Sequence, residues 1–202
     1  GTTHSGAGHS GSCGESITFN EWTGAEAKKM YPDTGATAAN RLPAEGNWYL
    51  TQPVTLTAPH VVDGGELNLC LNGNNVTLNA EGAVFSVKND GVLNLTDCKS
   101  TGSITHADSK NGAGVSVGTG SGETTAGTFN LYNGKITGNS NSGNGGGVSV
   151  FRDGQFNMYG GSITNNKAAT GGGVHVADNA AVTIGGGTIT ENEAKYDGGG
   201  MT

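Results

Sequence analysis

Short segments in which apolar and polar residues alternate recur along most of the chain. The phrases Val148-Ser149-Val150, Phe156-Asn157-Met158 and Ser162-Ile163-Thr164 show this two-residue period. Alternation of this kind is typical of a β-strand that buries one face. It predicts inward side chains at Val148, Val150, Phe156, Met158 and Ile163, and outward side chains at Ser149, Asn157, Tyr159, Ser162 and Thr164.

The alternating segments belong to a repeat. The phrase Gly145-Gly146-Gly147-Val148 returns as Gly171-Gly172-Gly173-Val174 and begins again at Gly198. Ile163 follows Ile136 by 27 positions, and Ile189 follows Ile163 by 26. A fixed period of this length with three short strands indicates a solenoid whose coils stack on one another. We therefore predict an all-β, right-handed parallel β-helix with three short strands per 26–27-residue coil.

Turns and insertions fit the same coil. Asp90-Gly91 and Asp153-Gly154 precede the second strand of their units, and Asp/Gly pairs favour turns. The glycine triplets stand before the first strand, where a bend or a close backbone approach leaves no room for a Cβ. Extra residues at 97–101 and 118–127 interrupt no strand phrase, so we expect them to form loops on the outside of the solenoid.

The first part of the chain does not follow the repeat. We expect residues 1–45 to form a flexible N-terminus, Gly1 to Gly14, followed by a cap with a short helix from Thr23 to Tyr31 and Thr23 as its N-cap. A cap is needed because an open coil exposes core and strand edges. Residues 46–202 are expected to form the β-helix, truncated at its C-terminal end. The aromatic and apolar residues Trp22, Met30, Trp48 and Tyr49 are expected to cover the first coil.

Composition narrows the classes of function. The chain has 38 glycines among 202 residues and a formal net charge of −7. An acidic balance argues against nucleic-acid binding, which needs clustered Lys and Arg. No apolar run approaches the roughly 18 residues of a membrane span, so we expect no membrane insertion. We expect a monomer without a cofactor.

The repeat phrases resemble those of a known group. Gly-Gly-x-Val and Ile-Thr-x-Asn are similar to the repeats of pectin-lyase-like β-helix surface proteins and of polymorphic outer-membrane proteins. The stretch from Trp48 to Cys98 resembles modular surface proteins of Gram-positive gut bacteria. The sequence departs from those repeats in two ways. It has Gly-Gly-Gly where they have Gly-Gly-Ala, and its residues Asn139, Asn166 and Asn192 follow Ile rather than Phe. The resemblance implies a bacterial protein that is secreted or held at the cell surface. It says little about function, because this fold carries lyases, hydrolases and adhesins.

The outward positions suggest a ligand surface. Asn68, Asn94, Asn130, Asn157 and Thr183 should form one ladder, with Tyr132 and Tyr159 stacked beside it. Tyr rings stack on pyranose sugars and Asn supplies donors and acceptors, whereas a solvated sheet face is the alternative. Phe151 and Arg152 at the coil edge are a second candidate. The predicted binding residues are Tyr132, Tyr159, Asn130, Asn157, Phe151 and Arg152.

Other reactive side chains give weaker signals. Cys70 and Cys98 fall on adjacent coils, so a disulfide between them is geometrically plausible, and a reduced pair is the equal alternative. His4, His9 and Cys13 have irregular spacing for a metal site, and we predict no metal. His175 is interpreted as an outward-facing surface residue, and Asp90 and Asp153 as turn residues, so we predict no catalytic residue.

These observations favour a non-catalytic adhesin or ligand-binding module that recognises a host glycan or glycoprotein, secreted host proteins included. The alternative is a fragment of a polysaccharide lyase or glycoside hydrolase, which would need carboxylates clustered in a groove. A structural spacer is a third possibility. A flat, groove-free face would favour binding over catalysis.

Overall fold

The computed structural model describes residues 17–33, 35–118 and 125–202, which form a parallel β-helix of about seven turns. The predicted fold class is thereby confirmed. In chain order the elements are β1 (Asn20–Trp22), α1 (Gly24–Met30), β2 (Gly46–Leu50), β3 (Val54–Leu56), β4 (His60–Asp63), β5 (Glu66–Cys70), β6 (Val76–Leu78), β7 (Phe85–Lys88), β8 (Val92–Thr96), β9 (Ser103–His106), β10 (Val115–Val117), β11 (Thr128–Leu131), β12 (Lys135–Thr137), β13 (Ser140–Asn144), β14 (Val148–Val150), β15 (Gln155–Met158), β16 (Ser162–Thr164), β17 (Lys167–Thr170), β18 (Val174–Val176), β19 (Ala181–Ile184), β20 (Thr188–Thr190) and β21 (Glu193–Asp197).

Three long sheets form the sides of the solenoid, and all of their strand pairs are parallel. The seven-stranded sheet β1-β2-β5-β8-β11-β15-β19 is here named the asparagine sheet. The five-stranded sheet is β18-β14-β10-β7-β4, and the six-stranded sheet is β20-β16-β12-β9-β6-β3. Equivalent residues of successive coils are aligned, as in the row Leu93, Phe129 and Phe156. This register stacks each core residue on its counterpart in the next coil.

The core is a set of stacked apolar columns. All five residues predicted to point inward are fully buried, and the Phe129 and Phe156 rings stack with centroids 5.2 Å apart. Each such side chain contributes about 1.5–3 kcal/mol on burial. Ser149 lies at a position predicted to point outward, and it is nevertheless only 1% exposed. The backbone of Gly145 lies against it, so closely that a Cβ at Gly145 would fall 2.8 Å from Ser149 Cβ.

The last three coils contain a fourth strand that the alternation did not predict. Strands β13, β17 and β21 pair in parallel, with Ser140, Lys167 and Glu193 in register. Their residues are mostly polar and exposed, so no two-residue apolar period marks them. Backbone pairing with the neighbouring coil, rather than burial, holds these strands.

The glycine triplets fill the corner where the six-stranded sheet meets the next coil. A Cβ on Gly147 would lie 2.5 Å from Ile163 Cγ2 and 3.1 Å from Asn166 Nδ2. Gly114 and Gly173 make the same approach one coil away on either side. The recurring Gly, Ile and Asn of the repeat therefore pack against one another, and only glycine fits at the first of these three positions.

The N-terminal cap contains the predicted helix. Thr23 is the N-cap of α1, and its hydroxyl accepts a hydrogen bond from the Glu26 N–H at 3.4 Å. Trp22 is fully buried, stacks edge-on against Trp48, and donates to the Arg41 carbonyl at 2.8 Å. The preceding strand β1 was not predicted, and it extends the asparagine sheet. The segment Gly1 to Gly14 and most of the loop 118–127 lie outside the described residues. In the described part of the chain, no helix is both long and apolar enough to cross a membrane.

Candidate functional site

A continuous ladder of asparagines runs along the outer face of the asparagine sheet. The Nδ2–H of each residue donates to the Oδ1 of the residue one coil earlier, over distances of 2.7–2.9 Å. The sheet register places Thr183 in the next position of the same row. The members of this asparagine ladder are Asn47, Asn68, Asn94, Asn130 and Asn157.

The two halves of this face differ in exposure. Asn68 and Asn94 are 6% and 9% exposed, and both donate to the Glu66 carboxylate at 3.0 Å. Phe19, Tyr49 and Cys70 form a small buried cluster separate from the solenoid core, in the same N-terminal coils. We name the outer face around Asn68, Cys70, Asn94 and Thr96 the covered half, and the face around Asn130, Tyr132, Asn157 and Tyr159 the open half.

Two tyrosines stand beside the ladder in the open half. Tyr132 and Tyr159 directly follow β11 and β15, one residue beyond the inward Leu131 and Met158. Their rings stack with centroids 5.1 Å apart and an interplanar angle of 19°. Tyr159 is 49% exposed. The structure thus brings together the predicted residues Asn130, Asn157, Tyr132 and Tyr159 on one surface.

The tyrosine stack is not continued by a side chain in the next coil. In the next coil the position after Ile184 is Gly185, and a Cβ built there would lie 3.7 Å from Tyr159 Cδ1. The ring face that Tyr159 turns towards this coil therefore meets no side chain at the aligned position. We name the surface formed by Tyr159 and Gly185 the tyrosine shelf.

The asparagine ladder also ends beside the shelf. Asn157 donates to Asn130, but no hydrogen-bond donor from the described residues reaches Asn157 Oδ1. The neighbouring Thr183 is exposed and carries a hydroxyl group. An unused carbonyl acceptor, a hydroxyl and an exposed aromatic face thus lie in one small area. This combination suits a ligand with an apolar ring face and several hydroxyl groups.

Phe151 and Arg152 lie away from the tyrosines. They occupy the turn between β14 and β15, whereas Tyr159 follows the other end of β15. Four strand residues separate the two ends by roughly 13 Å. Phe151 is 38% exposed, and Arg152 is exposed as well. The predicted binding residues therefore divide into two surfaces.

A polar cleft of about 390 Å³ lies at the same corner as Phe151. Asp90 and Asp153 both line it, and each has a positive φ, of 61° and 62°, in the turn that the sequence predicted. Ala126 occupies the intervening coil, since the Asp90 N–H donates to its carbonyl. Two coil spacings place the aspartate backbones roughly 10 Å apart. The remaining lining residues are Thr125, Gly127, Thr128 and Gln155.

The described histidines have structural surroundings. His106 bonds Asn139 Oδ1 at 2.7 Å and the Gly82 carbonyl at 2.8 Å through its two ring nitrogens. Burial lowers the pKa of His60 to about 4, a shift that a hydrogen bond to the Pro43 backbone opposes. Burial also lowers the pKa of His175. No group of three His, Cys, Asp or Glu residues in the described ranges is placed to hold a metal ion. His4, His9 and Cys13 lie outside those ranges.

Comparison of the chain with family models, curated proteins and solved structures returned no match. The resemblance to pectin-lyase-like surface proteins is therefore supported at the level of the parallel β-helix alone.

Sequence reasoning missed three contributors to this face. Asn47 begins the ladder, but the phrase Asn47-Trp48 differs from the Asn-Leu phrase of the later coils. Glu66 binds two ladder amides, and Gly185 forms the shelf. Alignment of the coils by their inward residues would have placed Asn47 and Gly185 in these rows, because Gly185 follows Ile184 as Tyr159 follows Met158.

Proposed function

We propose that this chain is a non-catalytic binding module that recognises a glycan or glycoprotein through the open half of the asparagine sheet. The observation that carries the proposal is the tyrosine shelf beside the unused Asn157 Oδ1. A sugar ring can stack on Tyr159 while its hydroxyls donate to Asn157 and exchange hydrogen bonds with Thr183. The proposal includes a host partner and a secreted or surface location on a bacterium, as the repeat resemblance implies.

The stacked tyrosines favour binding because they are already ordered. Tyr132 supports Tyr159 from one side, so little side-chain freedom remains to be lost when a ligand covers the other side. Aromatic residues held in this way supply large contact area at low entropic cost. The strands that carry them belong to a continuous sheet, which keeps the ring, the amide and the hydroxyl at fixed spacing.

A screen of the full chain against an array of host oligosaccharides and glycoproteins tests the proposal. Any binder is then measured by titration calorimetry with Tyr132→Ala/Tyr159→Ala. We expect affinity to fall by about 30-fold or more, the loss of at least one hot spot of about 2 kcal/mol, with little change in thermal midpoint. Tyr196→Ala is the matched control, since Tyr196 is 66% exposed but lies on β21.

A second variant blocks the shelf without removing an aromatic ring. Gly185→Val should pack against Tyr159 and abolish binding, because the new side chain occupies the place of the ligand ring. Gly200→Val is its control, as a Cβ there has nothing within 4 Å. Unchanged binding in both the Gly185 and the double-tyrosine variants would remove the open half from consideration. A full array without any binder would contradict the glycan proposal itself.

The cleft between Asp90 and Asp153 supports the second candidate, a polysaccharide-cleaving enzyme. Inverting glycosidases hold their two carboxyl groups about 6.5–9.5 Å apart, and a spacing of two coils is compatible with that range. Release of reducing ends from polysaccharides by the wild-type chain, lost in both Asp90→Asn and Asp153→Asn, would favour this function. Binding without any release would favour the module.

A further inference from the structure

Two cysteines of adjacent coils meet at the covered half of the asparagine sheet. Cys70 ends β5 and is fully buried, whereas Cys98 lies in the loop after β8 and is exposed. The register aligns Cys70 with Thr96, two residues before Cys98. A hydrogen bond joins the two thiols, and the structure contains no disulfide between them.

Asp97 holds the loop that carries Cys98 against the previous coil. Its buried carboxylate accepts hydrogen bonds from the backbone N–H groups of Gly73 at 2.7 Å, Lys99 at 3.2 Å and Gly102 at 2.6 Å. The Gly73 contact ties this loop directly to the turn that follows Cys70. The two sulfur atoms are therefore kept together by the surrounding structure, which favours bond formation between them.

We propose that Cys70 and Cys98 are a reversible disulfide site that links adjacent coils, oxidised by exchange with a low-molecular-weight disulfide. The Cys98 thiolate attacks one sulfur of the reagent, forms a mixed disulfide and releases one thiolate. Cys70 gives its proton to the departing sulfur as it attacks Cys98 Sγ, and the second half of the reagent leaves as a thiol. The two protein thiols lose two electrons and two protons in total, and the reagent disulfide gains them as two thiols.

The two thiols react in a fixed order because their surroundings differ. Cys98 is exposed, so a reagent can reach it. Burial, with the hydrogen bond that Cys70 donates to Cys98, raises the pKa of Cys70 to about 12, so Cys70 carries almost no thiolate that could attack free reagent. Cys70 thus reacts only with the sulfur already beside it. This site is separate from the tyrosine shelf and does not depend on the proposed function.

The test uses the full chain with Cys13→Ser, so that only the two thiols remain. Under native conditions with oxidised glutathione, we expect intact mass to fall by two hydrogen atoms without a lasting adduct. The midpoint of thermal unfolding should rise by roughly 5–10 °C, and dithiothreitol should reverse both changes. Adding Cys70→Ser should leave a stable single glutathione adduct at Cys98. Adding Cys98→Ser should leave Cys70 unmodified.

Three results would overturn the proposal. The first is a stable glutathione adduct on the Cys13→Ser protein in place of the loss of two hydrogen atoms. The second is modification of Cys70 at the same rate with and without Cys98. The third is no reaction of either thiol. Cys70→Ala provides a second variant should Ser be poorly tolerated at the buried position, and circular dichroism of each variant confirms that it is folded.

Discussion

The covered and open halves of the asparagine sheet share one backbone arrangement but use it differently. In the covered half, Asn94 donates to both Asn68 and Glu66, accepts from Asn130, and is 9% exposed. In the open half, Asn157 makes a single ladder bond and stands beside the exposed Tyr159. A repeated side chain is therefore structural where its polar atoms are all used, and available for a ligand where one of them is not.

Both halves of the sheet share one alternation of inward and outward side chains. The variant with the largest expected effect tests this alternation. Ile163→Asp should cost more than about 4 kcal/mol in the free energy of unfolding, or prevent folding, because it buries an unpaired charge in the stacked column. Thr164→Asp should cost about 1 kcal/mol or less, since Thr164 faces outward near Glu191. Urea unfolding measures both, and equal losses would contradict the strand phase.

Histidine protonation in the N-terminal coils should affect the pH dependence of stability more than histidine protonation in the C-terminal coils. Burial lowers the folded-state pKa of His60 from 6.5 to about 4, so the unfolded chain binds more protons between these values. Stability contributed by neutral His60 is complete above about pH 6.5 and falls by about 3 kcal/mol as pH drops to 4. His60→Phe, which matches the aligned Phe85, should flatten this slope in urea unfolding between pH 4 and 7.

The partly buried His175 provides the control for this prediction. His175→Ser, which matches the aligned Ser149, should alter the pH dependence less than His60→Phe does. An unchanged slope in His60→Phe would assign the acid sensitivity to other groups.

Replacing a ladder asparagine should give the smallest difference in stability between the two halves. Asn94→Ala removes the ladder partner of the buried Asn68 and of the half-buried Asn130, and should cost about 2 kcal/mol. Asn157→Ala removes one half-buried bond at the end of the ladder and should cost about 0.5 kcal/mol. Thermal unfolding of the two variants measures the contrast. Equal costs would show that the two halves are energetically alike.

The parallel β-helix was predictable because its core pattern is local. Alternation identified Val148, Phe156 and Ile163 as buried, and glycine triplets marked the tight corner. The strands β13, β17 and β21 were not predicted, because they are held by backbone pairing and bury no regular set of side chains. The pairing of β1 with β2, which places Trp22 beside Leu50 in the core, likewise depends on contacts distant in sequence.

The candidate site was predictable only in part. The outward direction of Asn157 and Tyr159 follows from the strand period, and the tyrosine stack follows from the repeat length. Burial of Asn94 does not follow from either, since its contacts include Glu66 of another coil. The separation of Arg152 from the tyrosines required knowing which end of β15 each residue occupies.

The hydrogen bonds of the asparagine ladder all point the same way along the solenoid, from Asn157 towards Asn47. Five aligned amide dipoles in series polarise one another, so each bond strengthens the next. The negative pole of this series is the side-chain carbonyl oxygen of Asn157, at the end of the ladder beside the tyrosine shelf. That oxygen should attract hydroxyl and ammonium groups more strongly than an isolated amide does, and should repel carboxylates and phosphates.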